Sequence, residues 1–497
     1  MAAWSRGYVA DGTYGIAFQA PQTPPHLAMV CAMAGVHWPL RRRMHVADLG
    51  CGRGYVVNTL AAANPGWRVL GLDHNPQHVA EGAQLAALAE LDNAHFAEID
   101  FAALDDEAVD RLPPLDVAMV HGLWSWVSDA VRAGIVRLLS RRLKPGGLAY
   151  FGYNALPAAG EDFALQRLLR HLAGPIDGVP GGAQAAAARA MERLRSAAPV
   201  LPLLRTAMLQ RLLAEPSVLE PAFVAHEFLT EHWRPVFHEE LCAALAPARL
   251  EFVGSCNLFE ALPLLYTDAV QRAVMADLPE GPASEFVKDL CLRRPFRADV
   301  FVRGTRRVDP VSALDRLHLA ACRALPQESP SLVTVTGKAA LPQLQWQAVR
   351  AALQSGPQAV RQLRAAIGQQ APHPAELLAL LVGTQQVLPV FSAGLPAPAA
   401  TRFNIAAAAL HAPAGEGTGH LALASPAAAG GLPASAFDLT LVAALLQGAD
   451  ASNPVSLARR LAVGSQDRDP LRASRRIEEA LAERLPVWKR FGVVPWA

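Results

Sequence analysis

The 497-residue chain has little net charge, no metal-type cysteine spacing and no long apolar run. Its formal charge of +1 leaves no global field to draw it to nucleic acid or to an anionic membrane. The six cysteines, Cys31, Cys51, Cys242, Cys256, Cys291 and Cys322, contain no CxxC pair and no matching histidine spacing. That argues against a zinc site or a disulfide framework and suits a reducing compartment. The opening residues, Met-Ala-Ala-Trp-Ser-Arg-Gly-Tyr, lack the charged-then-apolar order of a signal peptide. No apolar run reaches the length that crosses a bilayer, so no membrane insertion is expected and the cytoplasm is the expected location. Hydrophobic residues at 52% and charged residues at 18% describe a folded chain, and its length exceeds one ordinary core, so two to four domains are expected.

What the chain does have is concentrated between His45 and Gly54, His-Val-Ala-Asp-Leu-Gly-Cys-Gly-Arg-Gly. Val46, Ala47 and Leu49 form an apolar strand. Gly50, Gly52 and Gly54 then permit a turn at which a ligand can approach a helix N-terminus. Glycine spacing alone also fits a dinucleotide site, but Asp48 ahead of the first glycine favours a ligand that carries cations. S-adenosylmethionine, with its sulfonium and ammonium groups, is the expected cofactor, and no metal is required.

The strands downstream repeat one theme. A helix over Tyr55–Ala63 leads to a strand Arg68–Asp73, whose terminal acid stands about 20 residues beyond the glycines, where a ribose-binding carboxylate is expected, with His74 beside it. Pro76 opens the next helix, through roughly Glu90. A strand from Ala94 to Ile99 ends in Asp100-Phe101, an acid for the adenine amino group and an aromatic to flank the base. A strand from Leu115 to Val120 ends in His121-Gly122. After Trp124-Ser-Trp126, a helix Asp129–Leu143 and a Lys144-Pro-Gly-Gly147 turn, a strand Leu148–Tyr153 ends in Asn154. Each strand delivers a polar residue to the carboxyl edge, the ligand crevice of an open parallel sheet. Before the glycine turn, Tyr8, Tyr14 and Phe18 are either lids of a pocket or packing onto the core.

From Glu161 to Leu213 the pattern is that of two or three inserted helices. Ala222–Leu229 is expected as the sixth strand and Leu250–Gly254 as the seventh, with a helix Phe237–Ala246 between them and helical structure from Leu262 to Val302. The domain plan is therefore residues 1–158 for the first part of the core, 159–220 for a helical insertion, 221–258 for the last strands, 259–310 for a helical middle region and 311–497 for a C-terminal domain. In that last domain, residues 342–392 give three short helical segments and a strand Val387–Phe391 in a winged-helix-like order. Its helix Ala375–Val382 carries no base, so nucleic acid is not an expected partner.

The stretch Asp48–Gly54, Asp73, Asp100, His121-Gly-Leu-Trp-Ser-Trp126, Tyr153-Asn154 with Pro157, and His226-Glu-Phe-Leu229 followed by Trp233, Pro235 and Phe237 together resemble bacterial class I methyltransferases. More narrowly, they resemble those with a methyltransferase regulatory domain, a group that includes lysine methyltransferases of outer-membrane proteins. The resemblance covers roughly residues 8–305. It implies a Rossmann-like seven-stranded α/β sheet with a helical insertion, a mainly helical C-terminal region, a homodimer formed through residues 159–220, and a protein substrate. Ala159-Gly160 departs from the family's glycine and aromatic after the proline.

Methyl transfer to an amine needs that amine neutral and aligned, so desolvation among Trp124, Trp126 and Tyr153 and a hydrogen bond to the Asn154 carbonyl oxygen are the expected contributions. His121 is either a cofactor contact or a proton acceptor. The cofactor candidates are Asp48, Gly50, Gly52, Gly54, Asp73, His74, Asp100, Phe101 and His121; the catalytic candidates are Tyr153, Asn154, Trp126 and His121. No Asn-Pro-Pro-Tyr or Asp-Pro-Pro-Tyr follows the fourth strand, which weakens a planar amine as acceptor. A protein lysine methyltransferase, a small-molecule or polysaccharide-precursor methyltransferase, and a non-catalytic cofactor-binding regulator all stay open.

Overall fold

The computed structural model describes residues 7–9, 15–176, 181–201, 205–214, 221–279, 281–334, 337–392, 395–412, 420–462 and 470–496. Tyr14 lies outside them, as do parts of the expected insertion.

Short apolar runs make the sheet because they can be covered on both faces. β1 (His45–Leu49), β2 (Arg68–Asp73), β3 (Ala94–Glu98), β4 (Leu115–His121) and β5 (Leu143–Asn154) alternate with helices α1 (Pro24–Met33, before β1), α2 (Tyr55–Ala63), α3 (Pro76–Leu88), α4 (Asp106–Arg111) and α5 (Asp129–Arg142). Pro24 and Pro76 both stand at the first helical position, where a missing N–H costs nothing. The expected turn at Lys144–Gly147 is instead a bulge inside β5. Leu115 pairs with Leu143, and Val117 pairs with Leu148, leaving the intervening residues out of register, with Gly146 at φ 73°.

Three helices, α6 (Phe163–Ala173), α7 (Gly182–Ala197) and α8 (Ala207–Ala214), make the insertion. The expected sixth strand at 222–229 is a helix, α9 (Pro221–Phe228). Its segment buries Val224, Ala225, Phe228 and Leu229, a spacing that follows the helical repeat and packs against Leu165, Leu169, Ala187 and Leu194 of the insertion. After α10 (His238–Leu245), β6 (Leu250–Ser255) runs along the sheet edge. Then come α11 (Ala269–Ala276), α12 (Pro282–Leu292) and β7 (Phe296–Arg303), which falls where the sequence suggested continuing helix.

The seven strands lie in the order β3-β2-β1-β4-β5-β7-β6, with β7 antiparallel to both neighbours and the first five strands parallel. This is the expected class I methyltransferase sheet. The strand inserted next to β5 comes from residues 296–303, so the sheet is completed there and not at 258. The order reverses between β1 and β4, and their carboxyl ends form the crevice.

Beyond β7, three helices (Gln343–Gln354, Val360–Ile367, Pro374–Gly383) pack with a three-stranded antiparallel sheet whose central strand is His318–Ala321. The Pro/Gly/Ala-rich stretch that follows holds the helix Pro398–His411 and the hairpin Leu421–Ser425/Gly430–Ala434. This part caps α2: the Tyr55 hydroxyl donates to the Ala422 carbonyl at 2.7 Å, and Asn64 Nδ2 donates to Ala429 at 3.0 Å. The last helix, Pro470–Arg490, contains Pro486. No helix among the described residues is long and apolar enough to cross a membrane.

Candidate functional site

At the carboxyl edge of β1, β2, β4 and β5 lies a cavity of about 530 Å³, within the range of small-molecule sites. Gly50, Gly52, Asp73, His74, Asp100, Phe101, His121, Trp126 and Asn154 line it.

Asp73 organises the cofactor side. Its Oδ2 accepts the Gly52 N–H at 2.8 Å and its Oδ1 accepts the Asn75 N–H at 2.9 Å, so one carboxylate ties the glycine turn to the end of β2. His74 Nδ1 and His78 Nδ1 each lie 3.5 Å from Oδ1. Burial alone would raise this carboxyl, but the two adjacent histidines and the Asn75 amide outweigh it and hold Asp73 well below the usual carboxylate range. Asp48 has the opposite environment. It is buried behind the turn, does not line the cavity, and burial followed by the nearby Asp73 charge pushes it up to about 7.

Gly52 has φ 51° and open space where a side chain would begin, so its backbone faces the cavity as a cradle. Gly54 serves packing instead: a Cβ there would come 2.4 Å from the Phe96 ring and 2.8 Å from Gly82. Asp100 Oδ1 accepts the Ala102 N–H at 2.9 Å, which fixes the carboxylate beside the buried Phe101. An open glycine cradle flanked by carboxylates fits a cofactor bearing a sulfonium, a ribose and an adenine.

His121 closes β4. Its Nδ1 lies 2.7 Å from the Tyr150 hydroxyl, and burial pushes its pKa down to about 4, so the imidazole is neutral at pH 7. Asn154 closes β5, where its N–H donates to Ser125 Oγ at 2.9 Å and its Oδ1 accepts the Trp233 indole N–H at 3.2 Å. Trp126 lines the cavity. Trp124 turns away, edge-on to Phe151.

Tyr153 is a correction. It is fully buried and absent from the cavity wall, and its hydroxyl donates to Asp299 Oδ2 at 2.7 Å. The same oxygen accepts from Arg297 Nε at 2.8 Å and lies 3.0 Å from His238 Nδ1. Arg297 also bonds Glu285 and Asp289, each at 2.9 Å, and Arg294 pairs with Asp289 and Glu260. Burial would raise Asp299, but the Arg297 charge and the bond to His238 hold it well below the ordinary range. Tyr153 therefore anchors β5 to β7 and α12 through a buried ionic network, and alternation along a strand is why Tyr153 faces away from the Asn154 side.

The rest of the lining comes from segments far from the strand ends. Tyr8, a lid candidate from the sequence, and His226, Glu227, Phe228 and Trp233, quoted in the family resemblance, line the cavity together with Phe223 and Phe296, which the sequence reading did not single out. Because Ala222–Leu229 is a helix and not an edge strand, His226 and Glu227 reach the cavity. Tyr8 packs edge-on to His74 at 5.7 Å and against His226 at 5.6 Å, so both lid and packing readings of it hold together. The available signal was the aromatic density around Trp233 and the Pro295-Phe296 pair that opens β7.

Residues 47–149 match the model of a methyltransferase domain, and residues 220–303 match that of a predicted methyltransferase regulatory domain. With the sheet order and the cradle, these matches define an S-adenosylmethionine-dependent methyltransferase of the class I fold with a regulatory domain. Among relatives, an uncharacterized protein of Synechocystis sp. is 27% identical over 73% of this chain and 71% of its own length. Trans-aconitate 2-methyltransferase of Streptomyces avermitilis is 31% identical over 26% of this chain and 44% of its length. The structure of PKMT2 from Rickettsia typhi, also solved in complex with AdoHcy, superposes with TM-score 0.70 over 97% of this chain and 99% of its own at 16% identity, a likeness of fold that takes in the C-terminal region.

Proposed function

We propose that this chain methylates lysine side chains of a protein substrate. The observation that carries the reading is the mixed lining of the cavity. Acids and glycines at the ends of β1–β3 share it with an aromatic sleeve of Trp126, Phe228, Trp233 and Phe296. Bound S-adenosylmethionine would supply an electrophilic methyl group. Asp73 and Asp100 would hold its ribose and base, Gly50 and Gly52 would let it approach the turn, His74, Phe101 and His121 would complete its bed, and Asp48 and Gly54 would act from behind the turn. The sleeve strips water from an entering ammonium, which favours its neutral form, since a lysine in water has a pKa near ~10.4. Asn154 Oδ1, held by Trp233, has a second lone pair with which to orient the amine.

The insertion supports an assembly role: its inward apolar face is used up within the chain, while Phe163 and Leu213 stay exposed, and a homodimer through residues 159–220 is part of this reading. Light scattering of the pure protein tests it, a monomeric mass counting against it.

Tritiated-methyl transfer onto fractionated lysate, with Asp73→Ala as control, tests the activity. The expected product is labelled polypeptide with a mass gain on lysine. Label only in low-mass fractions would favour a small acceptor, and no label would leave a cofactor-binding regulator.

A further inference from the structure

We propose that Tyr150 sets the tautomer of His121, so that the neutral imidazole offers its Nε2–H to the cavity as a donor for the carboxylate at the amino-acid end of the cofactor. The role assigned to that hydrogen rests on the cofactor reading above; the tautomer itself does not.

Tyr150 and His121 sit on adjacent strands, their rings 5.8 Å apart and 15° from parallel, with the hydroxyl 2.7 Å from Nδ1. Either group can donate across that contact. Among the described residues the Tyr150 hydroxyl has no second hydrogen-bond partner, and the side chain is buried. If the imidazole donated, the phenolic proton would be left buried without an acceptor, at a cost of about 1–3 kcal/mol. If the phenol donates, both groups are satisfied, and the imidazole proton is placed on Nε2, the nitrogen turned away from Tyr150. Loss of the phenolic proton is disfavoured as well, because burial pushes that hydroxyl well up.

Two neighbours maintain the pair. Phe296 packs edge-on to the imidazole at 5.5 Å. At position 152 only glycine fits, since a Cβ would lie 2.6 Å from His121 Nδ1 and 2.9 Å from the Tyr150 hydroxyl.

The sheet order decides which cofactor group the hydrogen meets. Asp73 and Asp100, for ribose and base, lie on the β2 and β3 side of the glycine turn, and His121 lies on the β4 side. It thus faces the amino-acid end. There the sulfonium and ammonium are cations that accept no hydrogen bond, and the carboxylate is the acceptor. The same assignment removes His121 as a base toward the incoming amine, because its one free lone pair is committed to Tyr150.

Nitrogen-15 spectra of histidine-labelled full-length protein, with His121 identified by its loss in His121→Gln, test the tautomer directly. The expected result is a protonated Nε2 and a bare Nδ1 that do not change between pH 6 and 8. In Tyr150→Phe the tautomers should mix, and the affinity for S-adenosylhomocysteine should fall about twofold, in proportion to the lost Nε2–H population, while that for adenosine, which lacks the amino-acid end, holds. A protonated Nδ1 or an imidazolium in the parent protein would overturn the proposal, as would unchanged S-adenosylhomocysteine affinity in Tyr150→Phe. Failure of S-adenosylhomocysteine to bind the parent at all would sink the cofactor role, while the spectra would still decide the tautomer.

Discussion

Asp48→Asn should make the ligand-free protein more stable and the cofactor complex weaker. The Asp48 carboxyl, ordinarily near 3.8, is held at about 7 by burial and by the charge of Asp73. A carboxyl raised in the folded state contributes fully below its unfolded pKa, and that stability is lost as pH climbs to the folded value. The interval from 3.8 to about 7, at ~1.4 kcal/mol per pH unit, amounts to roughly 4 kcal/mol lost by pH 8. Asparagine has the same shape and no charge, so it escapes the loss. At pH 5 only about a third of the loss has accrued, so the variant's advantage should widen by roughly 3 kcal/mol between pH 5 and pH 8. Melting temperatures of parent and variant at both pH values, without ligand, read this directly. With S-adenosylmethionine present the order should reverse at pH 8, because the cofactor's cationic groups favour the ionised carboxylate. An advantage that stays constant with pH, or a variant less stable than the parent at pH 8, would refute the reasoning, since it would mean that the buried carboxylate is already compensated.

The same carboxyl should couple cofactor binding to proton release. Affinity for S-adenosylmethionine should rise with pH up to about 7 and flatten above it, which calorimetry in two buffers of different ionisation enthalpy checks. Gly54→Ala should destabilise the fold by about 1–3 kcal/mol through overpacking against Phe96, with φ 72° adding strain, as followed by thermal melting. Arg297→Met leaves Asp289, Asp299 and Glu285 short of a buried partner and should cost about 3–5 kcal/mol, read in the same melts. Tyr153→Phe should lower stability by about 1–2 kcal/mol yet leave the turnover number unchanged; a hundredfold loss of turnover would restore Tyr153 to the reacting centre.

The cofactor half of the site was legible because its residues are local to strand ends. Asp73, His121 and Asn154 each close a strand and Asp100 lies two residues past β3, and strand ends can be read from apolar runs and glycine turns. The acceptor half is assembled from distant segments, and there the reading slipped. β7 was taken as the end of a helical stretch, and its inward positions, Arg297 and Asp299, are charged. Their burial is compensated by Glu285, Asp289 and Tyr153, partners that no strand pattern announces. α9 was taken as the strand needed to finish a seven-stranded sheet, and Ala222–Leu229 is short and mostly apolar, a length at which the two periodicities are hard to separate. Tyr153 was offered, with Trp124 and Trp126, as a side chain that desolvates the amine beside Asn154, although successive residues of a strand face opposite ways. Asp48 was read as a carboxylate beside the turn meeting a cation; its burial is visible only once α2 and the strands close around it.

The central claim is a cofactor pocket in which Asp73 holds the glycine turn ready for S-adenosylmethionine. Isothermal calorimetry of the pure full-length protein with S-adenosylhomocysteine tests it most directly. The expected result is saturable binding that weakens at least about tenfold in Asp73→Ala, where the Gly52 and Asn75 N–H groups lose their shared acceptor. No heat with the parent protein, or equal affinity in the variant, would contradict it.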